Sequence, residues 1–308
     1  MMPLVSAPVA VVGIGNMGLA MALRLRDGGQ PVRVHDIDPE RHALAAAAGA
    51  VPAASPAAAV AGCAVLIVAV VDAAQTEAVL FGPQGAAAAL PLGATVLLCP
   101  TIGPADVEGF AARLTQAGLA CLDAPMSGGP ARARDGSMSL MVAGPDAAWS
   151  ALQPLLQHLA SRLFRIGSRP GDGARTKLVN NLLAATHLAA SAEAIALAQR
   201  LGLDGAATLA VVNASSGASW IGADRMARAL DGDFAPRAHT SLLAKDSALA
   251  LAMAAQAGVR PPLGVLAAAQ FQAALAAGHG GEDDARLLSL LQQQFAAGDQ
   301  PAAGVPPA

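Results

Sequence analysis

The stretch Val9-Ala10-Val11-Val12-Gly13-Ile14-Gly15-Asn16-Met17-Gly18 decides the fold of this 308-residue chain. Its first four residues are apolar and mostly β-branched, which predicts a short buried strand. The pattern G-x-G-x-x-G follows and opens a stretch with the composition of a helix, from Met17 to about Gly28. Strand, glycine-rich turn and helix in this order are typical of a site that holds the pyrophosphate of a dinucleotide at a helix N-terminus. We therefore predict cofactor contacts at Gly13, Ile14, Gly15, Asn16, Met17 and Gly18.

The second predicted strand, Pro31 to His35, ends next to Asp36, which lies 18 residues after Gly18. An acid near this spacing binds the adenosine ribose hydroxyls of NAD. A carboxylate there repels the 2′-phosphate of NADP, so NAD is predicted in preference to NADP. Two alternatives stay open: Asp36 only caps a turn, or Arg33 or Arg41 admits NADP.

The pattern around this motif predicts an α/β Rossmann domain over residues 1–167. Short β-branched runs alternate with Ala-rich helical stretches, which is typical of a doubly wound, mostly parallel sheet with six or more strands. Further strands are predicted at Val65–Val70, Thr95–Cys99, Ala120–Asp123 and Ser139–Ala143.

After residue 167 the pattern becomes helical. A long helix from Ala174 to about Leu201 begins an all-helical domain, predicted over residues 168–295. Breaks rich in Gly, Pro and Ser divide this half into about five helices. The stretch 296–308, composed mainly of Ala, Pro and Gly, is predicted to be a disordered tail.

Composition and charge argue against several classes of function. The chain is 54% apolar with a net charge of −3, and it has no cluster of Lys and Arg, so no nucleic-acid partner is expected. Residues 43–71 carry no charge, but Pro and Ser interrupt them, so no membrane partner is expected. No Lys or Arg precedes Arg24, which argues against a secretion signal, and a cytoplasmic location is expected.

Cysteine and histidine usage gives two further expectations. Cys63, Cys99 and Cys121 are widely spaced and lie in apolar runs, so we interpret them as buried, reduced thiols. The six histidines have no metal-ligand spacing, and no metal is predicted.

Two segments have residues suited to proton transfer and anion binding. Asp123 to Pro130 places a hydroxyl and small residues directly after a predicted strand, where backbone N–H groups can face an anion, although an ordinary loop is the alternative. Lys177 and Asn181 are four residues apart and share one face of the long helix. A lysine partly removed from water can act as a general acid or base. Spacing alone, however, favours the interpretation of Lys177 as a solvated lysine on an exposed helix face.

Six ordered stretches together resemble the β-hydroxyacid dehydrogenase family, which includes the 3-hydroxyisobutyrate dehydrogenases. These stretches are Val12 to Gly18, Thr101-Ile102, Asp123 to Gly129 with Gly136, Gly173 to Asn181, Asn213 to Gly217 with Trp220, and Lys245-Asp246. The resemblance covers nearly the whole chain. It implies a Rossmann domain with an NAD-binding region of the 6-phosphogluconate dehydrogenase type, a long interdomain helix, and an all-helical domain.

The resemblance also implies roles for particular residues. Lys177 corresponds to the catalytic lysine that exchanges a proton with the substrate hydroxyl, and Asn181 to the amide that orients the substrate. Ser127, Gly128 and Gly129 correspond to the turn that binds the substrate carboxylate. The residues expected near the cofactor are Thr101, Val70, Val71 and Lys245, and Lys245 is also expected near the substrate.

The family shares its catalytic residues and varies its substrate. Details around Phe234 to His239, Gly278 to Asp284 and Ser127 to Ala133 resemble the branch that acts on L-threonate, so L-threonate or a similar polyhydroxy acid is the expected substrate. In that case Arg237 or His239 could bind its extra hydroxyls. Alternatives are 3-hydroxyisobutyrate and tartronate semialdehyde as substrates, an imine reductase of the same fold, or a non-catalytic dinucleotide-binding scaffold. The resemblance implies a homodimer or homotetramer.

Overall fold

Nine strands form one sheet within residues 4–297, the part of the chain that this computed structural model describes. They are β1 (Val9–Val12), β2 (Val32–His35), β3 (Val51–Pro52), β4 (Val65–Val68), β5 (Thr95–Leu98), β6 (Ala120–Asp123), β7 (Met126–Ser127), β8 (Ser139–Ala143) and β9 (Arg162–Gly167). Their order is β3-β2-β1-β4-β5-β6-β8-β7, with β9 paired to β8. The pairs from β3 to β6 are parallel, whereas β8 is antiparallel to β6 and β7. The predicted doubly wound, mostly parallel sheet is confirmed.

The parallel strands end in register, so the loops that follow them lie along one edge of the sheet. Val12 pairs with both His35 and Val68. Val68 pairs in turn with Leu98, and Leu98 pairs with Asp123. Ligands of open parallel sheets bind outside these carboxyl ends. The predicted cofactor residues that follow β1, β2, β4 and β5 are thereby brought to a common edge.

Helices cover both faces of this sheet. They are α1 (Asn16–Asp27), α2 (Pro39–Ala47), α3 (Pro56–Ala59), α4 (Ala73–Phe81), α5 (Pro104–Gln116), α6 (Gly129–Asp135) and α7 (Asp146–Leu159). Val9 and Val11 belong to one buried core, while Ala10 and Val12 belong to another, because successive side chains of a strand point to opposite faces. Residues 43–71, which lack charge, form the end of α2, then β3, α3 and β4.

The second half of the chain is helical, as predicted. Its helices within the described residues are α8 (Asp172–Arg200), α9 (Gly205–Asn213), α10 (Trp220–Leu230), α11 (Thr240–Gln256), α12 (Pro262–Ala276) and α13 (Leu287–Ala297). Six helices occur where about five were expected. The five predicted breaks each separate two helices, and five breaks divide a chain into six. The predicted tail begins two residues too early, since α13 runs to Ala297, and the rest of that tail lies outside the described residues.

The chain divides into two compact units, Met1–Leu178 and Val179–Ala308. The division falls inside α8, and the domain boundary near residue 168 stays a prediction. Among residues 4–297, α8 is the one helix that is long and apolar enough to cross a membrane, judged by length and composition alone. Ala185, Leu188 and Ile195 of α8 are buried in the core of the second unit.

Candidate functional site

The glycine-rich turn between β1 and α1 is shaped by three glycines with different roles. Gly13 has φ +87°, and a Cβ there would lie 2.8 Å from the backbone of Ala69. A Cβ at Gly18 would clash with the carbonyl oxygen of Gly13, so only glycine lets α1 pack against the turn. A Cβ at Gly15, in contrast, would meet no atom within 4 Å.

The open space above Gly15 fits a bound dinucleotide. Gly15 occupies the N-cap position of α1, and no side chain within the described residues caps that helix. A phosphate at this position would accept hydrogen bonds from the first N–H groups of α1 and would face the positive end of the helix dipole. The residues of the turn therefore suit the pyrophosphate of a nicotinamide cofactor.

The Asp36 carboxylate lies against this turn. Its Oδ2 accepts a hydrogen bond of 2.7 Å from the backbone N–H of Ile14, and its Oδ1 accepts one of 3.0 Å from Asp38. Each carboxylate oxygen has a second lone pair, so ribose hydroxyls can still bind. Asp36 thus forms hydrogen bonds within the local turn, and its carboxylate can still accept hydrogen bonds from a ribose. The turn role and the cofactor role are therefore compatible.

The two arginines considered for NADP lie in different places. Arg33 donates to the carbonyl of Ala58 at 2.8 Å and to that of Ala61, so its guanidinium is directed toward α3 and the turn that follows it. Arg41 contacts the Asn16 side chain at 3.4 Å, beside the glycine-rich turn. Of these two cations, Arg41 is the one placed where it could meet a 2′-phosphate.

Val70, Val71 and Thr101 follow the ends of β4 and β5 on the same edge of the sheet. Val70 lies directly against Gly13, since a Cβ on that glycine would be 2.7 Å from Val70 Cγ1. Val71 is partly exposed, and its backbone N–H donates to Gln75. Thr101 is half-buried three residues after β5. The structure thus places these residues on the edge that carries the glycine-rich turn.

The predicted carboxylate-binding turn follows β6 as a short strand and a helix. Ser127 belongs to β7 and pairs with Ser139 of β8. Gly128 and Gly129 have φ values of +131° and +76°, which favour glycine. A Cβ at Gly129 would meet no atom within 4 Å. The turn therefore has open space beside Gly129, as an anion site requires, whereas a Cβ at Gly128 would lie 2.9 Å from the Arg132 side chain.

Asp123 anchors the start of α8. Its Oδ2 accepts hydrogen bonds of 2.9 Å from the backbone N–H groups of Gly171 and Ala174. A Cβ at Gly173 would lie 2.9 Å from the same oxygen, so glycine is required there. Burial raises the pKa of Asp123 to about 6, although the backbone hydrogen bonds at the start of α8 oppose this rise.

Lys177 and Asn181 lie one turn apart on α8, and each is only 8% exposed. Residues four apart on a helix share a face. The reading of Lys177 as a solvated surface lysine is therefore wrong. A lysine that is removed from water in this way can act as a general acid or base.

Asn181 and Lys245 meet at a common carboxylate in the second unit. The Asn181 side-chain amide donates to Asp246 Oδ2 at 2.6 Å, and Lys245 Nζ lies 2.6 Å from Asp246 Oδ1. Asn180 donates in turn to the Asn181 oxygen at 3.1 Å. Asp246 thus sets the orientation of the Asn181 amide.

Sequence reasoning gave no role to Asp123, Asp246 or His42, which accepts a hydrogen bond from the backbone of Asp36. Asp246 directly follows the candidate site residue Lys245. Neighbouring residues on a helix point in different directions, so the spacing did not indicate that the Asp246 carboxylate contacts both Lys245 and Asn181. Arg237 and His239 bond within their own unit, to Asp233 at 2.6 Å and to the Gly281 carbonyl at 2.9 Å.

Cys63, Cys99 and Cys121 are buried free thiols, as predicted. Burial raises the pKa of Cys99 to about 12 and also raises that of Cys121, which makes both thiols unreactive. In the part of the chain that the structure describes, no group of three His, Cys, Asp or Glu side chains is arranged to hold a metal.

Comparisons with known proteins match both halves of the chain. Residues 8–167 match the model of the NAD-binding domain of 6-phosphogluconate dehydrogenase. Residues 171–291 match the model of the NAD-binding domain of NADP-dependent 3-hydroxyisobutyrate dehydrogenase. The chain is 41% identical to L-threonate dehydrogenase of Cupriavidus necator, over 93% of this chain and 96% of that protein.

Two further relatives agree with these matches. The chain is 33% identical to 3-hydroxyisobutyrate dehydrogenase of Pseudomonas aeruginosa, over 84% of this chain and 89% of that protein. A crystal structure of 3-hydroxyisobutyrate dehydrogenase from Salmonella typhimurium has a TM-score of 0.86 at 37% identity, covering 92% of this chain and 99% of that one. The chain that carries the glycine-rich turn and the buried Lys177 therefore belongs to the β-hydroxyacid dehydrogenase family, and it is a nicotinamide-dependent oxidoreductase that acts on a CH–OH group.

Proposed function

We propose that this protein is an NAD-preferring dehydrogenase of L-threonate or a similar small polyhydroxy acid. The observation that carries the proposal is the pair Lys177 and Asn181, one turn apart and both buried on α8. Identity of 41% to an L-threonate dehydrogenase over nearly the whole chain supports this choice of substrate. Selection of NAD is assigned to Asp36, whose carboxylate lies against the glycine-rich turn.

In the proposed mechanism, the nicotinamide supplies the hydride acceptor when the cofactor is bound. The amine of Lys177 accepts the proton of the substrate hydroxyl while the carbon that bears this hydroxyl is oxidised to a carbonyl. In the reverse reaction, Lys177 returns the proton. Ser127 and the backbone of Gly128 and Gly129 bind the substrate carboxylate through hydrogen bonds. Asn181 orients the substrate.

The remaining site residues have supporting roles in the proposal. Gly13 to Gly18 hold the pyrophosphate, while Val70, Val71 and Thr101 line the cofactor site along the sheet edge. Lys245 supplies a positive charge for the anionic groups of cofactor and substrate, and Asp246 holds its ammonium in place.

Self-association and a cytoplasmic location complete the proposal. Val179, Leu183 and Leu197 of α8 are each more than half exposed and lie near one face of the helix. Apolar patches of this kind mark protein interfaces, and a homodimer or homotetramer would cover them. The three unpaired buried cysteines are compatible with a reducing compartment. Sedimentation equilibrium tests the first point, since a monomer at micromolar concentration would contradict it.

The substrate is tested by initial rates of NAD and NADP reduction at 340 nm against a panel of acids. The panel contains L-threonate, D-threonate, D-glycerate, 3-hydroxyisobutyrate, 3-hydroxypropionate and tartronate. We expect the highest kcat/KM with L-threonate and NAD. Activity confined to 3-hydroxyisobutyrate or D-glycerate would keep the chemistry and contradict the substrate. No activity with any acid, despite NADH binding, would favour an imine reductase or a non-catalytic scaffold.

A further inference from the structure

The turn between β2 and α2 carries a histidine whose contact bears on cofactor selection. The backbone N–H of Asp36 donates a hydrogen bond of 2.9 Å to Nε2 of His42. His42 lies in the first turns of α2 and is half-buried. Its imidazole thus bonds back to the backbone of the residue that carries the candidate ribose-binding carboxylate.

The position of the Asp36 carboxylate depends on several bonds that converge on this turn. Ile14 and Asp38 donate to its two oxygens, which sets the rotation of the side chain. These two bonds hold the carboxylate but leave the backbone N–H of Asp36 to another acceptor. His42 supplies that acceptor, so the backbone and the side chain of Asp36 are held from separate directions.

The direction of the bond determines the tautomer of His42. Because the backbone N–H is the donor, Nε2 is the acceptor, and the ring proton of the neutral imidazole lies on Nδ1. His35 lies nearby, with its ring centroid 5.5 Å from that of His42, but its Nδ1 bonds to the carbonyl of Ala53. The two neighbouring imidazoles therefore have different hydrogen-bond partners, and only that of His42 bonds to Asp36.

We propose that His42 is a positioning residue for the cofactor, acting through Asp36. By accepting the Asp36 N–H bond, it holds the carboxylate where it meets the adenosine ribose, and so contributes to the preference for NAD over NADP. This inference rests on the proposed role of Asp36. His42 itself is not assigned a contact with the cofactor.

The test is direct binding of NADH and NADPH, measured by titrating cofactor fluorescence, with no substrate present. His42→Leu removes the acceptor, and we expect the Kd for NADH to rise roughly fivefold, the size of one neutral hydrogen bond, while the Kd for NADPH changes less. His42→Gln places an amide oxygen near the position of Nε2, and we expect it to restore most of the NADH affinity. Equal losses in the Leu and Gln variants would overturn the proposal.

His35→Leu is the matched control, because it removes the neighbouring imidazole without removing a bond to Asp36. We expect its Kd for NADH to stay within about twofold of the unmodified protein. If His35→Leu weakened NADH binding as much as His42→Leu does, the effect would be a general disturbance of the turn, and the proposal would be wrong.

A double-mutant cycle separates this inference from the proposed role of Asp36. If His42 acts through Asp36, His42→Leu adds little to the loss already caused by Asp36→Ala. Fully additive effects would contradict that route. If Asp36→Ala weakens NADH binding while His42→Leu does not, only the role of His42 fails. If Asp36→Ala leaves NADH binding unchanged, the role of Asp36 fails, and the inference fails with it.

Discussion

The side-chain amide of Asn181 donates a hydrogen bond of 2.6 Å to the carboxylate of Asp246. This bond determines which end of the amide is the nitrogen and so leaves its oxygen in a defined direction. The same carboxylate contacts Lys245 through its other oxygen. One buried acid therefore orients two of the residues to which we assign substrate contacts.

Replacing Asp246 tests whether this orientation matters. In Asp246→Ala the Asn181 amide loses its partner, and we expect kcat/KM for the hydroxy acid to fall by about tenfold or more, since small misplacements of orienting groups are costly. Steady-state kinetics with the preferred acid measure the effect. Glu77→Ala, which removes an exposed ion pair with Arg113, is the control and should leave kcat/KM nearly unchanged. Equal kcat/KM values in both variants would contradict the role of Asp246 in orienting Asn181.

Cofactor preference should depend on Asp36. Asp36→Ala removes the acceptor for the ribose hydroxyls and the charge that repels a 2′-phosphate, so NAD affinity should fall by roughly tenfold or more and the NADP to NAD ratio of kcat/KM should rise. Asp38→Asn keeps an oxygen at the start of α2 while removing the neighbouring charge, and it should retain the preference for NAD. An unchanged ratio in Asp36→Ala would place selectivity elsewhere.

Gly15 and Gly18 should respond differently to the same substitution. A Cβ at Gly15 meets no protein atom, so Gly15→Ala should leave the free energy of unfolding nearly unchanged while weakening NADH binding. A Cβ at Gly18 clashes with the Gly13 carbonyl, so Gly18→Ala should destabilise the fold itself. Urea unfolding and NADH titration on both variants separate the two effects. Unchanged NADH affinity in a well-folded Gly15→Ala protein would contradict the placement of the cofactor.

The stability of the protein should carry a pH signature of Asp123. Burial raises the pKa of this carboxyl from 3.8 to about 6, so the folded chain binds its proton more tightly than the unfolded chain does. This group alone therefore makes the free energy of unfolding increase as the pH falls through 6, and the gain is complete below 3.8. The gain amounts to about 3 kcal/mol at most, since one pKa unit corresponds to 1.36 kcal/mol.

Asp123→Asn isolates this effect because its amide does not titrate. We expect the stability of the unmodified protein, relative to Asp123→Asn, to rise as the pH is lowered from 8 to 5. Urea unfolding of both proteins at several pH values measures the difference. Parallel pH profiles would show that Asp123 has an ordinary pKa in the folded protein.

The sequence predicted the parts of the fold whose signals are local. The strand, glycine-rich turn and helix from Val9 to Asp27 are adjacent in the chain, and their pattern was sufficient. β3 and β7 have two residues each, too few to show a period. β9 was not predicted either: it lies at the edge of the sheet, and its residues are only partly buried or exposed, so no apolar run marks it.

The candidate site residues were named from motifs and from the family resemblance, and their assignment stays a prediction, whereas the contacts that support them could not be predicted. Asp123 bonds to Gly171, 48 residues later, and Asp246 bonds to Asn181 over a separation of 65 residues. Neither pairing leaves a trace in local composition. Lys177 was ambiguous from the sequence, since helical spacing alone does not distinguish a buried lysine from a solvated one, whereas the structure shows that Lys177 is buried.

The most direct test of the central claim is the kinetics of Lys177→Met, which keeps the aliphatic stem and removes the amine. We expect kcat with the preferred hydroxy acid to fall by about 10²- to 10⁴-fold, because proton transfer loses its acceptor. The Kd for NADH, measured by fluorescence, should stay within about twofold, because the cofactor site is untouched. Near-normal turnover in a folded Lys177→Met protein would contradict the role of Lys177 and the mechanism built on it.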